Sequence, residues 1–294
     1  GGVIARWFPS GSWALPNGMT STALALGSAS TPPIIVYLAE YFGWESTFFL
    51  ISILGVIGAL IWWKYSTNWP TEHPDINREE LELIGQSDFN NNQMSWPLIK
   101  EVLTNKDVLF TALGYMSMNY VFFIFYSWIF IYFVTIRGFN MLEGSVLASL
   151  PFLMGAIGAT CGGFLCDRLQ MRYGVTWGHR IPIIIGLIPS AGFLLFGSIT
   201  ENPYLAVLSL SLCYGFIELT EGPFWSTIGF ISDKPQAAGG ILNTGGNLGG
   251  VLATPLIPIM VAQYDWVIAL NTGGVFAFLG VLFFMQVKFK EADE

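Results

Sequence analysis

Apolar residues occur along this chain in continuous runs of about twenty, the length that crosses the hydrocarbon core of a bilayer as a helix. The runs are continuously apolar rather than alternating, which favours membrane helices over the strands of a barrel. The pattern therefore predicts an all-α, polytopic membrane protein with about eight transmembrane helices. The predicted segments lie near residues 14–39, 46–65, 108–136, 145–166, 181–199, 203–230, 236–263 and 266–287.

The longest hydrophilic stretch, residues 66–107, predicts a loop between two membrane blocks, and its Ile76–Ile84 part predicts a short amphipathic helix on the membrane surface. If this loop is cytoplasmic, all basic residues except Arg137 fall on the inner side, as the positive-inside rule requires. The C-terminus is then cytoplasmic, and we expect the plasma (inner) membrane as the location. The inner residues are Arg6, Lys64, Arg78, Lys100, Lys106, Arg168, Arg172, Arg180, Lys234, Lys288 and Lys290.

Composition supports the membrane interpretation and excludes other classes. Only 11% of the residues are charged, against roughly 25% in soluble domains, and the mean hydropathy is +0.57. A net charge of −8 argues against a nucleic-acid partner. The three cysteines are odd in number and lie within apolar runs, so they do not form the framework of a disulfide-rich secreted domain.

An internal repeat divides the chain. An offset of 222 positions, from Gly18 to Gly240, aligns two stretches without a gap. It pairs the first two helices with the seventh and eighth, as two parallel six-helix halves around a midplane site would. We therefore expect the end of a first half at 1–65, an inter-half loop at 66–107 and a complete second half at 108–290. Other pairs are Thr22 with Thr244, Leu26 with Leu248, Gly27 with Gly249, Pro33 with Pro255, Trp44 with Trp266, Gly58 with Gly280 and Leu60 with Leu282.

A series of short motifs follows the same order as in one known family. They are Ala5-Arg6-Trp7-Phe8-Pro9, Glu72-His73-Pro74, Asn77-Arg78-Glu79-Glu80, Arg137-Gly138-Phe139, Leu150-Pro151-Phe152-Leu153, Gly162-Gly163-Phe164, Asp167-Arg168, Gly222-Pro223-Phe224-Trp225 and Asn243-Thr244-Gly245-Gly246-Asn247-Leu248-Gly249-Gly250. With these motifs the chain resembles the major facilitator superfamily and, within it, the anion:cation symporter family of sugar-acid permeases and sialin-like transporters. One departure is Ser12-Trp13, where that family usually shows a Glu-Arg pair.

The resemblance implies symport of an organic anion, such as a hexuronate or aldonate, with protons or sodium by alternating access. It also implies that Asp167 and Arg168, at the inner end of a helix, form gating salt bridges between the halves. The alternatives that stay open are a non-transporting sensor of the same fold and an integral membrane enzyme. We expect a monomer whose partners are the bilayer, a small organic anion and the coupling ion.

Two carboxylates, Glu218 and Glu221, lie inside the sixth apolar run. An ionisable group there is costly and usually faces a cavity, and the i,i+3 spacing places both on one helix face. Two such groups deep in the bilayer cannot both ionise, so one is a natural proton carrier, and Gly222-Pro223 would weaken the helix just beyond them. The alternative is that one of them is solvated near an end or pairs with a residue upstream.

Polar and aromatic side chains in the second half could contact the substrate. Asn243 and Asn247 lie one turn apart and suit sugar hydroxyls or a carboxylate, although buried Asn also links helices. Tyr120 and Trp128 are our candidates among the aromatic residues of the 108–136 segment. The nearby glycines predict close helix packing rather than a dinucleotide loop, because no strand precedes them. Two distant histidines, His73 and His179, support neither a metal site nor a catalytic triad, so we expect no enzyme and no cofactor.

Overall fold

The computed structural model describes residues 2–8, 14–84 and 96–289. Regular structure in these ranges is helical throughout, with one 3-10 turn at Pro70–Glu72. Ser12-Trp13 and Lys290, to which the sequence drew attention, lie outside the described residues. The helices are α1 Gly2–Trp7, α2 Ala14–Tyr65, α3 Arg78–Ile84, α4 Trp96–Thr104, α5 Lys106–Thr135, α6 Met141–Ile199, α7 Pro203–Glu218, α8 Glu221–Ile231, α9 Pro235–Gln263 and α10 Trp266–Phe284.

Two of these helices are too long for a single crossing. The 52 residues of α2 and the 59 residues of α6 would extend about 78 and 88 Å, more than twice the roughly 30 Å of a bilayer core. Each contains one glycine in the left-handed region, Gly43 at φ 76° and Gly174 at φ 77°, where a side chain would be strained. Each is therefore two crossings joined at a glycine. With α5, α7–α8, α9 and α10, the described chain holds the eight predicted crossings.

The inner connection at residues 167–180 differs from the prediction. The sequence predicts a loop between two helices, but α6 continues through it and is interrupted only at Gly174. Polar residues alone do not end a helix, because a helix that leaves the membrane can continue into water with its own hydrogen bonds intact. Asp167 and Arg168 consequently lie on helical backbone.

The hydrophilic stretch between the blocks contains more structure than its composition suggests. The predicted surface helix forms as α3, and its start is capped reciprocally: Asn77 Oδ1 accepts from the Glu80 N–H at 2.8 Å, and Glu80 Oε2 accepts from the Asn77 N–H at 3.2 Å. The helix α4 is absent from the prediction. It leads directly into α5, where Asn105 caps the helix and donates to the Ile231 carbonyl at 3.2 Å. This bond joins the end of the connecting segment to the inner end of α8.

The repeat seen in the sequence has a counterpart in the backbone. The offset that pairs Trp44 with Trp266 aligns Gly43 with Asp265, and the break between α9 and α10 lies at Tyr264–Asp265. The turn in α2 thus falls at the repeat position equivalent to the turn between α9 and α10. The crossing before Gly43 packs against α6, where Thr22 Oγ1 and Thr160 Oγ1 are 3.1 Å apart.

Glycines set the closest approaches between helices of the second half. A Cβ added at Gly158 on α6 would lie 2.0 Å from the Gly215 carbonyl oxygen of α7. On α9, a Cβ at Gly249 would lie 2.3 Å from the Met116 carbonyl oxygen of α5. Membrane helices associate through such small residues because lipid supplies no hydrophobic driving force. The glycine-rich stretch of α9 therefore serves close packing, as the sequence indicated.

Arg137, the one basic residue on the predicted outer side, caps a helix. Its guanidinium donates to the carbonyls of Gly197, Ser198 and Thr200 at 2.7, 3.0 and 2.6 Å, and to the Tyr132 hydroxyl. These carbonyls are the unpaired acceptors at the C-terminus of α6, and a cation is favourable at that end. The Arg137 guanidinium thus binds the C-terminal end of α6 and the first residue after it, Thr200.

Replacing Arg137 with Gln is expected to lower stability rather than substrate recognition. The substitution removes several charge-assisted hydrogen bonds to backbone carbonyls, a loss of about 2 kcal/mol. The measurement is the thermal unfolding midpoint of the purified protein in detergent. Arg168→Gln is the control, because Arg168 is exposed and, among the described residues, its guanidinium contacts the Phe164 ring at 5.7 Å and forms no salt bridge. Equal midpoints for the two variants would contradict the capping role.

Candidate functional site

The two intramembrane carboxylates lie on either side of a helix break. Glu218 ends α7 and Glu221 begins α8, with Leu219 and Thr220 between them. The sequence predicts a weak point at Gly222-Pro223, and the break falls just before it. The reason is Pro223, which has no N–H to donate to the carbonyl four residues earlier, that of Leu219. The backbone instead tightens, and the Thr220 N–H donates to the Ile217 carbonyl at 3.0 Å.

Both crossings of α6 pack closely against the break between α7 and α8. A Cβ added at Gly162 would lie 2.0 Å from the Leu219 carbonyl oxygen, and one at Gly186 would lie 2.1 Å from Thr220 Cγ2. The Gly162 contact is with backbone and the Gly186 contact is with the Thr220 methyl group, so α6 approaches the break closely at both glycines. The positions of the two carboxylates are therefore set by helix packing on both sides.

Glu221 is held by two donors on one oxygen. Its Oε1 accepts from the Tyr115 hydroxyl at 2.9 Å and from the Trp225 indole N–H at 2.9 Å. Trp225 lies one turn further along α8, and Tyr115 comes from α5 with its ring packed edge-on to the indole at 6.1 Å. Hydrogen bonds to a carboxylate favour its charged form. The two donors therefore offset part of the cost of burying a negative charge on Glu221.

Glu218 has the opposite environment. Its side chain is 6% exposed, and its Oε1 has no hydrogen-bond partner among the described residues. Gly155 gives it room: a Cβ there would lie 3.0 Å from Glu218 Cγ and 2.6 Å from the Tyr214 ring. Where the chain is described, neither carboxylate forms an ion pair with Lys or Arg. The Tyr214 hydroxyl is a hydrogen-bond partner of Glu218, but a carboxylate with one unsatisfied oxygen buried among aromatic rings is still costly, so these surroundings favour the neutral, protonated form of Glu218.

The sequence singled out Trp225 only as part of a family motif, without a role at the site, and did not single out Tyr115. A signal for Trp225 is present, since a residue four positions after Glu221 on a helix can reach back to it. Tyr115 is separated from Glu221 by about a hundred positions along the chain, and only the packing of α5 against α8 brings the two together.

The other predicted contact residues lie elsewhere. Tyr120 is fully buried, stacks on Phe276 at 3.9 Å and shares a hydrogen bond with Thr272 at 2.8 Å. Trp128 is partly buried, and its indole N–H has no partner in the described structure. Asn243 and Asn247 are exposed on α9, where the Asn247 amide donates to the Asn243 carbonyl at 2.8 Å. None of these four residues is hydrogen-bonded to Glu218 or Glu221 in the described part of the chain.

The remaining candidates lie toward the inner end of α6. Asp167 and Arg168 are exposed, and within the ranges described neither forms a salt bridge. His179 is fully buried, with Nε2 at 2.9 Å from Ser226 Oγ and Nδ1 at 2.8 Å from the Val175 carbonyl oxygen. The bond to Ser226 ties α8 to the second half of α6. The described residues contain no cluster of His, Cys, Asp and Glu that could hold a metal ion.

The fold and the site define a polytopic helical membrane protein with ionisable groups inside the bilayer, an arrangement typical of solute and proton pathways. The profile of the Major Facilitator Superfamily matches residues 1–239, and the chain belongs to this superfamily. That assignment confirms the family resemblance and the all-α membrane fold.

Similar proteins agree with this assignment. The chain is 31% identical to the probable galactarate/D-glucarate transporter GudP of Bacillus subtilis over 87% of its own length, and spans 58% of that relative. It is 29% identical to the hexuronate transporter of the same organism, over 97% of the chain and 68% of the relative. In fold it is similar to a crystal structure of a bacterial homolog of the human lysosomal transporter Spinster, in an inward-facing and unoccupied conformation. That similarity has a TM-score of 0.65 at 13% identity and covers 99% of this chain and 75% of the other.

The superfamily and these relatives are transporters and not enzymes. The prediction that the chain is no enzyme is therefore confirmed, and the membrane-enzyme alternative is set aside. The chain is an integral membrane protein of this superfamily.

Proposed function

We propose that the protein carries a sugar acid across the membrane together with a proton, by alternating access between the two sides. The observation that carries this proposal is the Glu218–Glu221 pair at the break between α7 and α8. The sugar-acid substrates named for the relatives support the choice of an organic anion. We further propose that it acts as a monomer in the plasma (inner) membrane with its C-terminus in the cytoplasm.

The environments of the two carboxylates favour a proton over sodium as the coupling ion. A sodium site in transporters is built from several oxygens, often including carbonyls of unwound helix. Here the carbonyl of Leu219, which Pro223 leaves free, is covered by Gly162. Glu221 Oε1 is occupied by two donors, and Glu218 Oε1 has no neighbouring oxygen ligand in the described hydrogen-bond network. A proton bound to Glu218 needs none of these additional oxygen ligands.

The charge of the Glu218–Glu221 pair couples the binding of a proton to the binding of the organic anion. With Glu218 protonated, the pair carries one negative charge, and that charge is held by Tyr115 and Trp225. Loss of the proton places two negative charges at the same helix break, which opposes the binding of a third. An organic anion therefore binds best when Glu218 carries its proton, and both are released together. The exposed amides of Asn243 and Asn247 are the proposed ligands for substrate hydroxyls, and Asp167 with Arg168 remains the proposed inner gate.

The test is uptake by the full-length protein in proteoliposomes. We expect radiolabelled galactarate, glucarate or a hexuronate to accumulate above its external concentration when the inward gradient is one of protons. A protonophore should abolish this accumulation, and a sodium gradient should not replace the proton gradient. Accumulation driven by sodium alone would refute proton coupling. Binding of a sugar acid without accumulation under either gradient would indicate a sensor of the same fold and refute transport.

A further inference from the structure

One face of α5 connects the carboxylate pair to the outer part of the helix. Tyr115, Asn119, Phe122 and Tyr126 follow each other at spacings of four, three and four, which places them in one stripe along the helix. Tyr115 at the inner end of this stripe donates to Glu221. The fully buried Tyr120 packs on α10 and lies on another face.

The outer part of the stripe belongs to a group of four aromatic side chains, Phe122, Tyr126, Phe152 and Tyr214, which we call the aromatic wall. Phe122 and Tyr126 stack at 5.8 Å with their planes 14° apart. Phe152 of α6 meets Tyr126 edge-on at 6.5 Å, and Tyr214 of α7 lies 5.8 Å from Phe122 and 5.2 Å from Phe152. Tyr214 also packs beside Glu218 against Gly155. The wall is therefore continuous with the carboxylate pair.

Tyr126 is the accessible member of this wall. Its side chain is 58% exposed, whereas Phe152 and Tyr214 are 4% and 2% exposed. Its hydroxyl forms no hydrogen bond with the described residues, while the hydroxyls of Tyr115 and Tyr120 on the same helix are both paired. The exposed ring is fixed from two sides, by Phe122 and by Phe152.

The depth of Tyr126 in α5 indicates what this hydroxyl faces. Nine residues separate it from the end of the helix at Thr135, which is about 13 Å along the axis. At that depth an unpaired hydroxyl directed at lipid would be costly. A polar occupant of the space beside α5 removes this cost, and Tyr115 at the inner end of the same stripe is hydrogen-bonded to Glu221.

We propose that Tyr126 is a specificity-determining residue that receives the substrate, a role that rests on the proposed sugar-acid transport. Its ring packs against the C–H face of the carbon chain, and its hydroxyl pairs with a substrate hydroxyl. A site that hydrogen-bonds a substrate hydroxyl discriminates strongly against an analogue that lacks it. Tyr126 thereby selects polyhydroxylated acids over plain dicarboxylates of equal length.

Galactarate and adipate provide the matched pair for the test, since both are six-carbon dicarboxylates and only galactarate carries hydroxyls. The measurement is inhibition of the uptake of a labelled sugar acid by each compound, in proteoliposomes of the full-length protein. For Tyr126→Phe we expect inhibition by galactarate to weaken about tenfold, the loss of one hydrogen bond, while inhibition by adipate stays constant. For Tyr126→Ala we expect both to weaken, because the ring is lost as well.

Tyr41→Ala is the control, since Tyr41 is 67% exposed on α2 and its ring also packs on a neighbouring aromatic ring, that of Tyr37 at 4.8 Å. It should leave the galactarate-to-adipate ratio unchanged. A wild-type protein that accumulates sugar acids, with an unchanged ratio in Tyr126→Phe, would overturn the role of Tyr126 alone. A wild-type protein that takes up no sugar acid would overturn the proposed transport, and the role of Tyr126 would fall with it.

Discussion

Glu218→Gln is expected to abolish proton-driven uptake while exchange of substrate across the membrane continues. Glutamine has nearly the same shape as a protonated glutamate, so the packing of Glu218 against Tyr214 and Gly155 is preserved. It cannot take up or release a proton, and the site is therefore locked in its neutral form. Substrate still binds and crosses in both directions, but the proton gradient no longer drives its accumulation.

Two measurements on the same proteoliposomes separate these effects. Net uptake under an inward proton gradient should fall to the level of empty liposomes, whereas counterflow of labelled against unlabelled substrate should persist. Glu40→Gln serves as the control, because Glu40 is exposed on α2 and should leave both activities intact. Normal driven uptake by Glu218→Gln would remove this residue from the coupling mechanism, and Glu221 would have to carry the proton alone.

Gly158→Ala is expected to destabilise the bundle more than any substitution at its surface. The added Cβ would lie 2.0 Å from the Gly215 carbonyl oxygen and 2.9 Å from its carbon, and both are backbone atoms that cannot rotate away. The helices α6 and α7 must then separate along the stretch that positions Glu218. Overpacking of this kind costs about 3 kcal/mol, which corresponds to a fall of about 5 °C in the unfolding midpoint of a chain of this size.

Gly192→Ala supplies a matched control on the same helix. A Cβ at Gly192 meets nothing within 4 Å, and alanine is the better helix former, so its midpoint should equal or exceed that of the wild type. The measurement is thermal unfolding in detergent, together with the yield of monodisperse protein by size-exclusion chromatography. Similar behaviour of the two variants would show that the α6–α7 contact adjusts without cost and would contradict its role in holding the carboxylates.

Some features of the helices were predicted from sequence patterns, and others were not. The eight crossings followed from apolar run length, because lipid admits only helices whose backbone bonds are satisfied internally. The glycine stretch of α9 was rightly assigned to packing, since close approach needs small residues wherever the partner lies. The continuation of α6 through residues 167–180 was missed, because polarity marks the membrane boundary and not the end of a helix.

The candidate site was predicted only in part. An ionisable residue inside an apolar run is visible in a sequence, and Glu218 and Glu221 were found in this way. The difference between them, with two donors on Glu221 Oε1 and none among the described residues on Glu218 Oε1, was not visible, because the Tyr115 donor comes from a different helix. The same holds on α5, where Tyr120 and Tyr126 are alike in the sequence. One faces α10 with its hydroxyl paired, and the other is exposed in the aromatic wall.

By itself the sequence determined that this protein is a polytopic helical membrane protein with two carboxylates inside an apolar run, since hydropathy and charge are properties of each segment alone. The tertiary structure decided which carboxylate is held by donors, which aromatic side chains line a surface and where the helices bend. Those features depend on contacts between segments far apart in the chain. The positions of the helices are set by backbone-to-backbone approaches at a few glycines. No local sequence pattern specifies which helix each glycine meets.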